Sequence, residues 1–145
     1  MRIIVQRVKS ASVIINTERS SSIQNGLLCY VGFCDLDTDV DFEWAINKLL
    51  NLNLFNHKRS LLDINGEVLI VSQFTLFGSV KKGNNPSWMK ASKPKVAIKL
   101  YQRFVALFLA KFPKNIKTGF FGENMDVLSV NDGPFTLFLD TKQKE

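Results

Sequence analysis

From Arg2 to Val8 apolar and polar residues alternate, with β-branched residues throughout, which predicts a strand. Ala11 to Asn16 repeats the pattern and predicts a second strand, folded back on the first around Lys9-Ser10. Thr17 to Gln24 is polar and reads as a loop or weak strand, whereas Gly26 to Phe33 is almost wholly apolar and reads as a central strand. Phe42, Ala45, Ile46, Leu49 and Leu50 then recur at helical spacing. Thr38 with Asp41 three residues on supplies a capping box, and the helix should end between Asn51 and Asn53. Asn65-Gly66 between Leu61–Ile64 and Glu67–Val71 predicts a hairpin. Its second strand should run on to Phe77 and stop at Gly78, which would place Ser72 and Phe74 on one face and Gln73 and Thr75 on the other. Pro94 opens a second helix with a stripe of Ala97, Leu100, Tyr101, Phe104, Leu107 and Phe108, and Pro113 stops it. Met125 to Val130 and Phe135 to Asp140 predict two last strands around an Asn131-Asp132-Gly133-Pro134 turn, with a frayed tail from Thr141 to Glu145. The fold class expected is α/β or α+β, with a mainly antiparallel or mixed sheet and two helices.

A length of 145 residues predicts one domain, 1–145, and 46% apolar residues are enough to fill a core and too many for a disordered chain. The longest unbroken apolar run, Phe104 to Ala110, is seven residues, far from the roughly 20 of a membrane span. Met1 leads straight into a charged strand, so no secretory signal is expected. Cys29 and Cys34 make no disulfide framework, and a buried Cys29 thiol fits a reducing, cytoplasmic setting. His57, the single histidine, precedes Lys58-Arg59 and reads as a loop residue. No Cys, His and carboxylate residues stand at metal-ligand spacing, so neither metal nor cofactor is expected.

Between Val68 and Gly122 there is no Asp or Glu, and the ten basic residues there make that segment +10, against −4 for the rest. Such a stretch attracts polyanions. The loop Lys81-Lys82-Gly83-Asn84-Asn85-Pro86-Ser87-Trp88-Met89-Lys90 adds glycine, amides and an aromatic ring, a mixture able to hold phosphates and stack a base.

Candidate chemistry is sparse. No carboxylate accompanies His57 as a Ser-His-Asp triad requires, and both P-loop and dinucleotide fingerprints are missing. Asp63, Glu67, Glu123 and Asp126 are candidate acids that also suit turns and strand ends. Ser72-Gln73-Phe74-Thr75 places polar residues at the end of a buried run, and Gly133-Pro134 is a bond that can be cis, exposing two neighbouring carbonyls as acceptors for an ammonium group. Each of these segments also has a plain structural reading.

Taken together they resemble the D-aminoacyl-tRNA deacylases of the bacterial and eukaryotic type. The resemblance covers Gln6-Arg7-Val8, Ala11-Ser12-Val13 and Gly26-Leu27-Leu28, continues from Gly66 to Leu76, then takes in Lys82-Gly83, Pro86-Ser87 and Thr118 to Gly122, and ends at Asn131 to Leu137. Ser-Gln-Phe-Thr and Asn-x-x-Pro-x-Thr are the two signature motifs, each weak alone and highly specific together. The resemblance implies a compact, barrel-like, homodimeric unit that hydrolyses the ester between tRNA and a D-amino acid, or glycine. It implies a cis Gly133-Pro134 bond inserted into the partner's pocket, where its carbonyls bind the amino group and exclude an L side chain. Arg7 would fix that loop, with Asn131 and Met125 also on the substrate side. Phe74 and Thr75 would stand at the catalytic end, supported by Ser72 and Gln73. Lys81, Lys82 and Lys90 would hold tRNA phosphates.

An aminoacyl ester is already activated, so backbone N–H groups near Phe74 and Thr75 suffice as an oxyanion site, with Thr75 orienting and not attacking. Asn53 and Asn85 stand where many relatives are basic, Trp88 where Phe is usual, and Asn56-His57-Lys58 replaces a more acidic stretch. A non-catalytic RNA-binding dimer, a small-molecule esterase and a deacylase of relaxed chirality remain alternatives.

Overall fold

The alternating N-terminal segment is one strand, not a hairpin. In the computed structural model, which describes residues 1–17 and 19–144, β1 runs Arg2–Asn16 without a turn at Lys9-Ser10. Its two halves keep different neighbours on one side: Arg2 to Val8 pair with β3 (Gly26–Gly32), and Ala11 to Asn16 with β2 (Arg19–Ile23), both antiparallel. Lys9-Ser10 marks the exchange of partners, and neither residue is a glycine, proline or asparagine that would favour a tight turn.

The predicted Asn65-Gly66 hairpin is also absent. Leu61 to Asn65 form turns tied down by the Asp63 carboxylate, which accepts from the Ser60 N–H (2.7 Å) and hydroxyl (2.8 Å). Beyond Gly66, β4 (Glu67–Ser72) lies parallel to β3 and to β5 (Ile116–Thr118). Val68 to Val71 are buried. Strands covered on both faces read as unbroken apolar runs, so the run that suggested a hairpin arm is a central strand with parallel neighbours. Gly26 permits that approach, since a β-carbon there would lie 1.9 Å from the Glu67 carbonyl oxygen.

The sheet has the order β2-β1-β3-β4-β5, and β6 (Asp126–Asp140) lies along the other side of β1. Its curl brings β2 close to β4 and β5, giving the barrel-like form expected. Val8, Val13, Ile23, Leu28, Leu69 and Val71 fill the inside. Ile3, Val5, Leu27, Cys29, Val31, Val68 and Ile70 face the helices. Burial pushes the Cys29 thiol far above its ordinary value, which leaves it inert.

The helices match their predicted limits. α1 is Asp39–Asn51 with the Thr38–Asp41 capping box, and α2 is Pro94–Lys111 with Pro94 in its first turn. Phe104 of α2 packs edge-on against Phe33, Phe42 and Phe108, with ring centroids 6.2, 5.7 and 5.8 Å away.

The described part of the C-terminal tail is held, contrary to expectation; Glu145 lies outside the described residues. Thr141 is buried, and its N–H donates to the Met1 carbonyl (2.9 Å). The Lys142 ammonium donates to Asp41 (2.7 Å). Burial pushes the Asp41 carboxyl up, but Lys142 and the Thr38 N–H and hydroxyl outweigh it and bring the pKa down to about 2. The ordinary value is 3.8, so this carboxylate stabilises the fold above that pH and loses its contribution as pH falls through about 2. Lys142→Met should therefore move the acid-unfolding midpoint to higher pH, as followed by circular dichroism. An unmoved midpoint would show that the tail contact carries no stability.

Candidate active site

The parallel strands β3 and β4 end side by side, and their carboxyl ends open on a cavity of about 660 Å³. This is where open α/β sheets commonly place ligands. Ser72, Gln73 and Phe74 form one wall, the start of α2 another, and Phe121 to Met125 a third. The predicted continuation of β4 to Phe77 does not occur. The Gln73 N–H makes a last ladder bond to the Val31 carbonyl (2.7 Å), and Phe74–Phe77 then coils into a 3₁₀ turn closed by Gly78 N–H to Thr75 O (2.9 Å).

The alternating-face expectation therefore ends at Ser72. Gln73 and Thr75 do not lie along a strand face; the Gln73 amide donates directly to the Thr75 hydroxyl oxygen. That contact occupies a lone pair and leaves the hydroxyl proton available. The N–H groups of Phe74 and Thr75 open the turn and have no partner among the described residues. Phe74 is 55% exposed and meets Trp88 edge-on, 5.4 Å between centroids. Met125 lines the opposite wall, and its sulfur accepts the Phe120 N–H (3.3 Å).

The second predicted cluster lies elsewhere in the chain. Asn131 to Pro134 are not a turn between two strands: they lie within the continuous β6. Pairing jumps from Val8↔Asn131 to Gln6↔Thr136, so Arg7 alone faces the four residues Asp132 to Phe135, and these bulge outward. Arg7 and Asn131 hold the bulge. The Arg7 Nε donates to the Asp132 carbonyl (3.1 Å) and pairs with its carboxylate (3.1 Å). Its Nη1 donates to the Leu54 carbonyl (2.6 Å), and its guanidinium stacks on Phe135, 5.1 Å from the centroid. The Asn131 amide donates to the carbonyls of Arg7 (2.9 Å) and Phe135 (3.1 Å). Gly133 sits at φ 133°, where an L side chain is strained, and the Gly133-Pro134 bond is cis. Both residues are exposed. Within one chain, none of Arg7, Asn131, Gly133 and Pro134 lines the cavity that Ser72, Gln73 and Phe74 do, nor does Thr75.

Lys81, Lys82 and Lys90 are exposed on the segment before α2, and among the described residues none is in an ion pair. Sequence reasoning missed Ser92, Lys93 and Asn124 on the cavity wall. The only hint was Pro94, which marks the helix start beside them. Of the candidate acids, Glu123 lines the cavity, while Asp63 accepts from Ser60 within its own turn and Glu67 accepts from the Gln24 N–H (2.6 Å). His57 lies in a surface turn, and among the described residues no cluster of metal ligands occurs.

The family model described as D-Tyr-tRNA(Tyr) deacylase matches residues 4–140. The chain is 46% identical to a D-aminoacyl-tRNA deacylase of Flavobacterium psychrophilum and 47% identical to one of Azobacteroides pseudotrichonymphae, each over the full length of both chains. Among solved structures it is similar to a c-Myc DNA unwinding element binding protein, with TM-score 0.90 and 37% identity over 97% of this chain and 98% of that one. A "probable eukaryotic D-amino acid tRNA deacylase" shares the fold, with TM-score 0.84 and 21% identity over 95% and 97%. On motif, fold and full-length similarity alike, the chain belongs to the D-Tyr-tRNA(Tyr) deacylase family and is a hydrolase.

Proposed function

We propose that this chain hydrolyses the ester of D-aminoacyl-tRNA, and of glycine attached to tRNA, as a homodimer whose Gly133-Pro134 bulge enters the partner's cavity. One observation carries this reading: Arg7 and Asn131 brace an exposed bulge that does not line the Ser72–Phe74 cavity of its own chain. A braced, exposed loop of this kind has a use against a second surface. β6 pairs with β1 alone among the described residues, so its outer edge is open, and Leu128, Val130 and Phe138 on it are half exposed. Unpaired apolar edges of this kind are commonly covered by association.

In the assembled site the bulge carbonyls accept the substrate's ammonium, and the backbone close to the α-carbon leaves no room for an L side chain. The free N–H groups of Phe74 and Thr75 face the developing oxyanion, Gln73 holds the Thr75 hydroxyl, and Thr75 orients water or the terminal ribose. Chirality set by exclusion has a sensible size, since a preference of about 10⁴ corresponds to about 5.5 kcal/mol.

Single-turnover deacylation of D-Tyr-tRNA, L-Tyr-tRNA and Gly-tRNA tests the reading. Loss of the D and glycyl esters alone, with no acyl-protein trapped on acid quench, is the expected result. Hydrolysis of the L ester as well would point to relaxed chirality. Intact D ester with tRNA bound would leave a non-catalytic RNA-binding protein. Lys81→Ala with Lys82→Ala should weaken tRNA binding and lower its salt slope by roughly one per lysine, with the D/L ratio unchanged. An unaltered slope in filter binding would remove this loop from the RNA surface.

A further inference from the structure

The turn at Asn56 to Arg59 plays no part in the reading above, and it is built against its own local preference. Leu54 and Phe55 anchor it in the core. Phe55 and Arg59 close it, with N–H to O distances of 3.0 Å one way and 3.4 Å the other. At its tip His57 (φ 60°, ψ 34°) and Lys58 (φ 54°) are both left-handed. Two successive left-handed residues make a type I′ turn, for which Asn-Gly is the usual pair because a β-carbon is disfavoured there. Among the described residues the one other non-glycine residue in the left-handed region is Asn65 (φ 48°), an asparagine, the side chain that tolerates it best. Here the chain carries His-Lys, followed by Arg59. All three side chains are exposed, and among the described residues none is in an ion pair. Asp63 spends its hydrogen bonds on Ser60, and the Arg59 charge only helps, less than those bonds, to hold its carboxyl below the ordinary value.

The turn is also fastened to the bulge. One guanidinium, that of Arg7, bonds Leu54, which immediately precedes the turn, and Asp132, which opens the bulge. Backbone conformations that side chains resist tend to persist where a ligand needs them. We propose that His57, Lys58 and Arg59 form a second RNA contact, binding phosphates of the single-stranded acceptor end beside the bulge, apart from Lys81 and Lys82. The inference rests on the deacylase reading. With the bulge in the partner's cavity, the turn stands at the rim of that cavity, and a bound tRNA touches both subunits.

The double variant His57→Asn with Lys58→Gly installs the preferred turn pair and removes the charge. It should melt at a higher temperature than the parent yet bind deacylated tRNA several-fold more weakly, with a salt slope lower by roughly one. Lys58→Gln keeps the left-handed strain and should lose the same affinity without the gain in melting temperature, and Lys58→Arg should restore binding. A higher melting temperature with unchanged tRNA affinity and slope would overturn the proposal and leave the deacylase reading standing. If the parent failed to cleave D-Tyr-tRNA while these variants still lost tRNA binding, the deacylase reading would fall and the RNA contact would remain.

Discussion

Arg7→Met should slow D-aminoacyl-tRNA hydrolysis about a hundredfold and narrow the D/L ratio, while tRNA affinity stays within about twofold. One residue of β1 faces four of β6, so the strand ladder cannot hold Asp132 to Phe135, and side chains must do so. Arg7 does it with contacts to the Asp132 carbonyl and carboxylate, the Leu54 carbonyl and the Phe135 ring. Methionine keeps part of the apolar stem and loses every polar contact. The bulge then moves by an ångström or more, and a site that works by positioning pays in rate. Lysine offers one point charge where a planar fork is used, so Arg7→Lys should recover only part of the loss. Single-turnover rates on D- and L-Tyr-tRNA, set beside filter binding and melting curves, decide the matter. A normal rate in a folded Arg7→Met protein would mean that the bulge holds itself and that the substrate does not read it.

The largest effect on stability should come from Phe104→Ala, at about 3–5 kcal/mol. Phe104 is fully buried where α2 crosses the sheet, and it joins the rings of Phe33, Phe42 and Phe108. Its loss leaves a cavity bounded by both helices and by Phe33 just after β3, which close packing prevents from collapsing. Domains of this size are commonly stable by 5–15 kcal/mol, so the variant should be folded but marginal. Its melting temperature should fall by roughly 10 °C or more, and its urea midpoint should drop with little change in slope. A loss under about 1 kcal/mol would show that neighbouring rings refill the space.

Both helices were legible because what defines them is local. Thr38 and Asp41 cap α1 within one turn, Pro94 opens α2, and their apolar stripes recur at 3.6 residues whatever they pack against. The buried run of β3 and β4 and the Ser72 to Thr75 and Asn131 to Thr136 motifs were equally plain as residues. The strands misled wherever the pattern depended on a partner. Alternation looks the same in a hairpin arm and in half of a long strand, so β1 and β6 each read as two. Asn65-Gly66 does form a turn, but the pairing after it is parallel, and no feature within those residues encodes which strand will lie alongside.

The helices, the core composition, the basic segment and the residues of both motifs are local properties of the chain, because capping, periodicity and charge act within a few positions. Long-range packing makes Phe74 to Phe77 coil away from β4 and open a cavity against α2 and Met125. It alone places Gly133-Pro134 on a braced bulge outside that cavity and ties the His57-Lys58 turn to the same arginine. These arrangements depend on strand register and on contacts between residues 47 to 125 positions apart, which burial and hydrogen-bond satisfaction settle only when the whole sheet closes.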